Sequence, residues 1–114
     1  MDTTATSAAT VPTGAPTAVA HPNGDLGGRA RLVDALRAVV GPDQIQTDPD
    51  ITAAFSRDMM PLAPSGTPLA VVFPTETAQV AAVVKACAAS GVPIVPRGAG
   101  SGLTGAANAV DGAV

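Results

Sequence analysis

A cluster of glycines constrains this chain more than any other feature of its sequence. Four of the eight residues from 98 to 105 are glycine, and they directly follow the short apolar stretch at residues 92–95. Glycine loses more conformational freedom on folding than other residues, so the cluster predicts either positive φ angles or a close approach of the backbone to another group. Successive backbone N–H groups in such a loop can bind an anion, and Arg97 places a guanidinium beside them. A purely structural turn is the alternative that composition leaves open.

The glycine cluster follows a predicted β-α-β unit. Residues 69–73 are a continuous apolar run, typical of a strand buried on both faces, and Pro74 ends it. The next helix carries apolar residues at helical spacing from Val80 to Cys87, and Gly91 predicts its end. Residues 92–95 predict a second short strand, expected to lie parallel to the first after a right-handed crossover. Because Cys87 occupies a core position of the helix, we expect it to be structural.

Two helical segments precede this unit. Over residues 29–40 apolar side chains recur at helical spacing: Leu32, Leu36, Val39 and Val40. Gly41 predicts the end of this helix. Asp48 and Pro49 predict the N-cap and first residue of a short second helix, with Ile51 and Phe55 on its inner face.

Composition separates the first residues from the rest of the chain. Residues 1–27 consist mostly of Ala, Thr and Pro, with no Lys or Arg and no apolar run, so we predict a disordered tail and none of the patterns of a signal or transit peptide. His21 lies in this tail and is expected to be solvated. Residues 28–114 are then one domain of the α+β class, in which N-terminal helices precede the β-α-β unit.

Charge and cysteine content exclude several classes of function. A net charge of −3 with scattered basic residues argues against a nucleic-acid partner, which needs clustered Lys and Arg. One cysteine, Cys87, allows no internal disulfide and no multi-cysteine metal site, and we predict no metal. No apolar run reaches the roughly 20 residues of a membrane-spanning helix. A lone thiol is typical of a reducing compartment, and we predict a cytoplasmic location.

Two known phosphate-binding loops compare poorly with the glycine cluster. A P-loop needs Lys followed by Ser or Thr after its last glycine, and residues 96–105 contain no Lys. The dinucleotide fingerprint G-x-G-x-x-G does occur, from Gly100 to Gly105. In a Rossmann unit that fingerprint opens a long helix, whereas here Asp111 and Gly112 soon signal a turn. The Rossmann interpretation stays open as a weaker alternative.

From about Ile45 onward the chain resembles the start of the FAD-binding domain (PCMH type) of the vanillyl-alcohol oxidase superfamily. It is most similar to the branch that holds the glycolate oxidase flavin subunit and D-lactate dehydrogenases. The resemblance rests on an aromatic-Ser-Arg-Asp stretch at residues 55–58, a strand ending at Pro74, a Val-rich helix, and Pro-Ile-Val-Pro-Arg-Gly at residues 93–98. The family loop has Thr and Ser where this chain has Ser101 and Thr104, so both hydroxyls are kept. Ala106 stands where a further glycine is usual.

The resemblance implies a flavoprotein whose glycine loop holds the diphosphate of non-covalently bound FAD. Carried over position by position, the cofactor-binding residues are Pro96, Arg97, Gly98, Ala99, Gly100, Ser101, Gly102, Leu103, Thr104 and Gly105. Asp58 receives no catalytic role. Family members are several times longer, so the FAD-binding domain is expected to be incomplete here and the catalytic residues are expected to lie outside this chain.

The function implied is that of an FAD-dependent oxidoreductase of a small 2-hydroxy acid, such as glycolate or D-lactate, which passes electrons to an acceptor partner. We expect the 114-residue chain alone to be inactive. One alternative is a superfamily member resembling alkylglycerone-phosphate synthase, which uses FAD without net oxidation of its substrate. Another is a non-catalytic α/β fragment in which the glycine loop is only a turn.

Overall fold

The computed structural model describes residues 26–114, which combine helices with a small sheet. The elements are α1 (Leu26–Val40), β1 (Ile45–Gln46), α2 (Pro49–Thr52), β2 (Val71–Val72) and α3 (Thr77–Ser90), with 3-10 turns at Pro42–Gln44 and Ala53–Phe55. This confirms the α+β class. The predicted tail lies outside the described residues except for Leu26 and Gly27, which are the first residues of α1.

The core lies between α1 and α3. It is formed by buried side chains of both helices and of the segments next to them: Leu32, Leu36, Val40, Ile45, Ala70, Val83 and Cys87. The Cys87 side chain is fully buried, which confirms its predicted place in the core. Gly41 ends α1 with φ of 87°, and its N–H donates to the carbonyl of Arg37 over 2.9 Å. The helical spacing in the sequence therefore located both helices that form the core.

The cap of α2 is confirmed, but its inner face differs from the prediction. Asp48 Oδ1 accepts a hydrogen bond from the N–H of Asp50 over 2.9 Å. Ile51 is 43% exposed, and Thr52 is the buried residue of this helix instead. The helix is one turn long and continues as a 3-10 turn, whose period is three residues rather than 3.6, so Ile51 and Phe55 do not share a face.

The strand pairing also differs from the prediction. Within residues 26–114 the sheet joins only β1 and β2, which run antiparallel with Ile45 opposite Val72 and Gln46 opposite Val71. The expected direct pairing of residues 69–73 with residues 92–95 is wrong. Both runs are apolar and lie where expected along the chain, but apolar patterning does not specify which segment lies beside each one.

Residues 112–114 lie between the two predicted strands. The N–H of Leu69 donates to the carbonyl of Ala113 over 2.7 Å. On the other side, the N–H of Val114 donates to Pro93 O over 3.0 Å, and the N–H of Val95 donates to Val114 O over 2.8 Å. This reciprocal pattern is that of a parallel pair. The chain after the glycine cluster therefore returns to lie between Leu69, just before β2, and residues 93–95.

Residues 26–114 contain neither a membrane-spanning helix nor a cluster of metal-ligating side chains. None of the helices in residues 26–114 is long and apolar enough to cross a membrane. Across the same residues, no group of three or more His, Cys, Asp or Glu side chains is placed to hold a metal ion.

Candidate functional site

Residues 96–105 form an irregular surface loop, which we call the glycine loop. It lies between Val95 and residues 109–114, which we call the return segment. Most residues of the glycine loop are exposed, and only Arg97, Gly100 and Gly105 are half-buried. Gly100 and Gly105 have φ of 75° and 80°, a region that residues with a side chain rarely adopt. The predicted need for positive φ is met at these two glycines.

Gly98 and Gly102 lie outside that φ region, and their lack of a side chain matters for space. A Cβ on Gly98 would meet no heavy atom within 4 Å, so this backbone faces an open side of the loop. A Cβ on Gly102 would lie 3.4 Å from Asp58 Oδ2, on the side that faces the protein. The loop therefore offers bare backbone at both glycines, with open space at Gly98 and with Asp58 as the one neighbour of the Cβ position at Gly102.

Arg97 connects the start of the glycine loop to the segment after α2. Its Nη1 donates to the carbonyl of Arg57 over 2.9 Å and to that of Phe55 over 3.5 Å. Its guanidinium carbon also lies 5.6 Å from the centre of the Phe55 ring, within the range of a cation–π contact. A side chain on Gly100 would overlap this guanidinium.

Asp58 and Asn108 connect the other end of the loop to the same segment. Asp58 is buried, and its N–H donates to Asn108 Oδ1 over 2.7 Å. The N–H of Asn108 donates in turn to the carbonyl of Gly105 over 3.1 Å. Between these points, the N–H of Met59 donates to Gly102 O over 3.0 Å. Residues 55–60 thus hold the loop at its start, middle and end.

The two hydroxyls of the loop differ in their use. Thr104 Oγ1 accepts a hydrogen bond from the N–H of Ala106 over 3.3 Å, so it also shapes the turn that follows. Ser101 is exposed. Leu103 is one of the ten predicted cofactor-binding residues. Its side chain is apolar and 69% exposed, so only its backbone could bind a phosphate.

An apolar cavity of about 370 Å³ opens beside the start of the loop. Its walls include Val80 and Val84 of α3, Phe73, and the loop residues Pro96 and Gly98. Val80, Val84 and Phe73 are each 42–46% exposed because they face this space. The predicted apolar stripe of α3 is therefore divided between the core and the cavity wall.

The loop suits a diphosphate in shape and charge. Residues 96–105 contain one Arg and no acidic side chain of their own, and the carboxylate beneath them is that of Asp58. Successive backbone N–H groups in such a loop can bind an anion. The open backbone at Gly98 gives room for a group that a Cβ would displace. The arrangement suits binding and orientation of an anion.

Sequence reasoning missed the partners that hold this loop. Asn108 lies in an Ala-rich run and belongs to no recognisable motif. The resemblance to the flavoprotein family gave Asp58 no role. The one available signal was Asn108, a polar residue in an apolar run just after the glycine cluster. A polar side chain buried in such a run needs hydrogen-bond partners. Which partners it finds, 50 residues apart in the case of Asp58 and Asn108, depends on the tertiary fold.

Comparison with known proteins connects this loop to one family. The model of the FAD binding domain matches residues 68–114. A D-2-hydroxyglutarate dehydrogenase of Stutzerimonas stutzeri (strain A1501) is 39% identical over 84 residues, which are 73% of this chain and 18% of that protein. A D-lactate dehydrogenase of Anaerostipes hadrus is 35% identical over 75 residues, which are 66% of this chain and 16% of that protein.

A solved structure agrees with these relatives. p-Cresol methylhydroxylase, in a crystal structure with substrate bound, matches with a TM-score of 0.54 and 31% identity over 61% of this chain and 14% of that chain. The chain therefore spans less than a fifth of the length of the proteins that it matches.

Proposed function

This chain belongs, through residues 68–114, to the FAD-binding domain family of the vanillyl-alcohol oxidase superfamily, and on this premise we propose that it is the FAD-loop segment of a dehydrogenase that oxidises a D-2-hydroxy acid. The single observation that supports this most is the glycine loop at residues 96–105, which is held by contacts from residues 55–60 and has open space at Gly98. The matching relatives are named for D-2-hydroxyglutarate and D-lactate. Both substrates carry a hydroxyl next to a carboxylate.

The chain's own contribution would be to bind and orient the cofactor. Backbone N–H groups of the glycine loop would bind the FAD diphosphate, with Ser101 and Thr104 as added hydroxyl donors. Arg97 and Asn108 would keep the loop in place through the carbonyls of Arg57 and Gly105. Bound FAD supplies the redox chemistry by accepting a hydride equivalent from the carbon that bears the hydroxyl.

Substrate choice within this class is the finer part of the proposal. D-Lactate, D-2-hydroxyglutarate and glycolate are the candidates, and an electron acceptor would complete the cycle. The two D-acids are favoured by the names of the matching relatives, and glycolate by the resemblance of the sequence alone. A cytoplasmic location and an electron-acceptor partner stay predictions.

The experiment is anaerobic reduction of the full-length flavoprotein. The purified protein is mixed with D-lactate, D-2-hydroxyglutarate or glycolate, and flavin absorbance is followed, with L-lactate as the enantiomer control. We expect at least one of the D-acids to bleach the flavin while L-lactate leaves it oxidised. A folded full-length protein that carries flavin but is reduced by none of these acids would contradict the substrate class. A folded protein without flavin would contradict the cofactor as well.

A further inference from the structure

We propose that Asp58 is a positioning residue for FAD: its unpaired carboxylate oxygen accepts a hydrogen bond from the glycine loop backbone at Gly102 when the loop binds the diphosphate. This inference rests on the function proposed above. It assigns a role to the Asp58 side chain, for which the resemblance implied none.

The first observation is a buried carboxylate that is only half satisfied. Asp58 is 9% exposed. Its Oδ1 accepts a hydrogen bond from the N–H of Met60 over 2.8 Å, whereas its Oδ2 is buried and has no donor among residues 26–114. Buried side-chain oxygens nearly always have a hydrogen-bond partner, and one without a partner points to a role that its packing alone does not explain.

The second observation is what Oδ2 faces. Gly102 lies directly against it, and a Cβ on Gly102 would be 3.4 Å from this oxygen with no other heavy atom within 4 Å outside its chain neighbours. The carbonyl of Gly102 is held by the N–H of Met59 over 3.0 Å. Gly102 is therefore the part of the loop that faces this oxygen, and we assign the backbone N–H groups beside it as the donors.

The charge of Asp58 makes Oδ2 a strong acceptor, because hydrogen bonds to an ionised group are roughly twice as strong as neutral ones. An N–H bond to Oδ2 would fix the direction of the neighbouring peptide groups. The loop then presents its remaining N–H groups outward, toward the phosphate oxygens.

The main chain of Asp58 supports the same role. Its N–H donates to Asn108 Oδ1 over 2.7 Å, and Asn108 holds the carbonyl of Gly105 over 3.1 Å. One residue thereby touches the middle of the loop through its carboxylate and the end of the loop through Asn108. A shift of Asp58 would move both points together.

The test is FAD binding by the full-length apoprotein with Asp58→Asn. The amide has one acceptor atom where the carboxylate has two, so it can serve either Met60 N–H or the loop but not both. Losing one hydrogen bond to a charged acceptor predicts a rise in the Kd for FAD of about tenfold or more, measured by quenching of flavin fluorescence. Asp43→Asn changes the same group at an exposed site far along the chain from the loop, and we expect wild-type affinity from it.

A second variant keeps the proposal testable if Asp58→Asn fails to fold. Gly102→Ala is compatible with the backbone, since Gly102 lies outside the left-handed region, but its methyl group would stand between the loop and Oδ2. We expect it to weaken FAD binding while the thermal midpoint of the apoprotein stays within a few degrees of the wild-type value. If the role of Asp58 were merely structural, Gly102→Ala would lower the thermal midpoint of the apoprotein and leave the Kd for FAD of the folded protein unchanged.

The outcomes separate the two proposals. Wild-type Kd values in folded Asp58→Asn, or in Gly102→Ala if the first variant is unfolded, overturn the role of Asp58 and leave the FAD function standing. A wild-type protein that binds no FAD overturns the proposed function, and the role of Asp58 with it.

Discussion

The guanidinium of Arg97 points into the protein and not across the open side of the glycine loop. Its Nη1 donates to the carbonyls of both Arg57 and Phe55, and its planar guanidinium contacts the Phe55 ring. The sequence instead predicted a guanidinium beside the anion-binding backbone, placed to pair with phosphate. The observed contacts favour a role in holding the loop, while the Arg97 backbone stays part of the predicted FAD site.

Arg97→Ala should therefore reduce FAD retention without abolishing it. The backbone N–H groups of the loop remain, but the connection of its start to residues 55–57 is lost. Arg97→Lys should restore little, because the compact ammonium of lysine does not replace the planar guanidinium that lies against the Phe55 ring. Flavin content per chain after gel filtration measures this, with exposed Arg31→Ala as the control. Full flavin content in Arg97→Ala would show that the contact is dispensable.

Cys87 gives a residue-scale prediction that is independent of FAD. Burial raises the pKa of the Cys87 thiol above its ordinary value. The folded state thus favours the protonated thiol, and this contribution to stability is present below the ordinary pKa and lost as the pH rises toward the raised one. The fall in the urea midpoint between pH 7 and pH 10 should be smaller in Cys87→Ala than in wild type. Cys87→Ala should cost on the order of 1 kcal/mol at neutral pH and keep its FAD; equal falls in both proteins would contradict the pH argument.

At the scale of elements, the return segment is held to the chain before β2 at one crowded point. The N–H of Gly66 donates to Ala109 O over 2.6 Å, and the N–H of Thr67 donates to Asp111 Oδ1 over 2.8 Å. A Cβ on Gly66 would lie 2.5 Å from Asp111 N. Because backbone cannot move aside as a flexible side chain can, only glycine fits there.

Gly66→Ala should destabilise the protein more than Gly91→Ala. Gly91 ends α3 with φ of 66° and open space around its Cβ position, so alanine there costs only the left-handed strain, about 1–2 kcal/mol. Gly66→Ala adds a separation of two backbone segments. The midpoints of urea unfolding of the two full-length variants would be compared. A smaller loss for Gly66→Ala would show that the return segment packs differently.

The same elements show what the sequence could predict. Helical spacing and caps found α1 and α3, and the cap at Asp48 has the predicted bond. The pairing of β2 with β1, the exposed side of Ile51 and the Asn108 bonds depended on which distant segments meet. Local patterns carry no information on such long-range choices. The glycine loop itself was located by its composition and its ordered motif, and its attachment to residues 55–60 was not.

At the scale of the whole molecule, this chain matches less than a fifth of its relatives. Its apolar cavity beside the glycine loop is bounded by half-exposed Phe73, Val80 and Val84. We expect the 114-residue chain alone to show no turnover. The side chains that bind the substrate and those that carry out catalysis are expected elsewhere in the protein. Dye-coupled oxidation of D-lactate and glycolate would be measured against free FAD at equal concentration. Activity clearly above that control would contradict this view.

We also expect FAD to be held without a covalent bond. Superfamily members that attach flavin commonly do so through a histidine, and the one His of this sequence is His21, which lies outside the described residues. Acid precipitation of the full-length protein should release the yellow colour into the supernatant. Flavin that stays with the pellet would show covalent attachment.

The central claim is that residues 96–105 hold the FAD diphosphate, and flavin content per chain of folded Gly100→Val and Gly102→Val tests it most directly. Valine at Gly100 would meet both a φ of 75° and the Arg97 guanidinium, and valine at Gly102 would fill the space against Asp58. Losing two or three backbone bonds to phosphate, at about 1.5–3 kcal/mol each, predicts a loss of affinity of roughly a hundredfold or more. With circular dichroism confirming the fold, the account predicts nearly flavin-free variants after gel filtration. A folded Gly102→Val protein with a full complement of FAD would show that the glycine loop is only a turn.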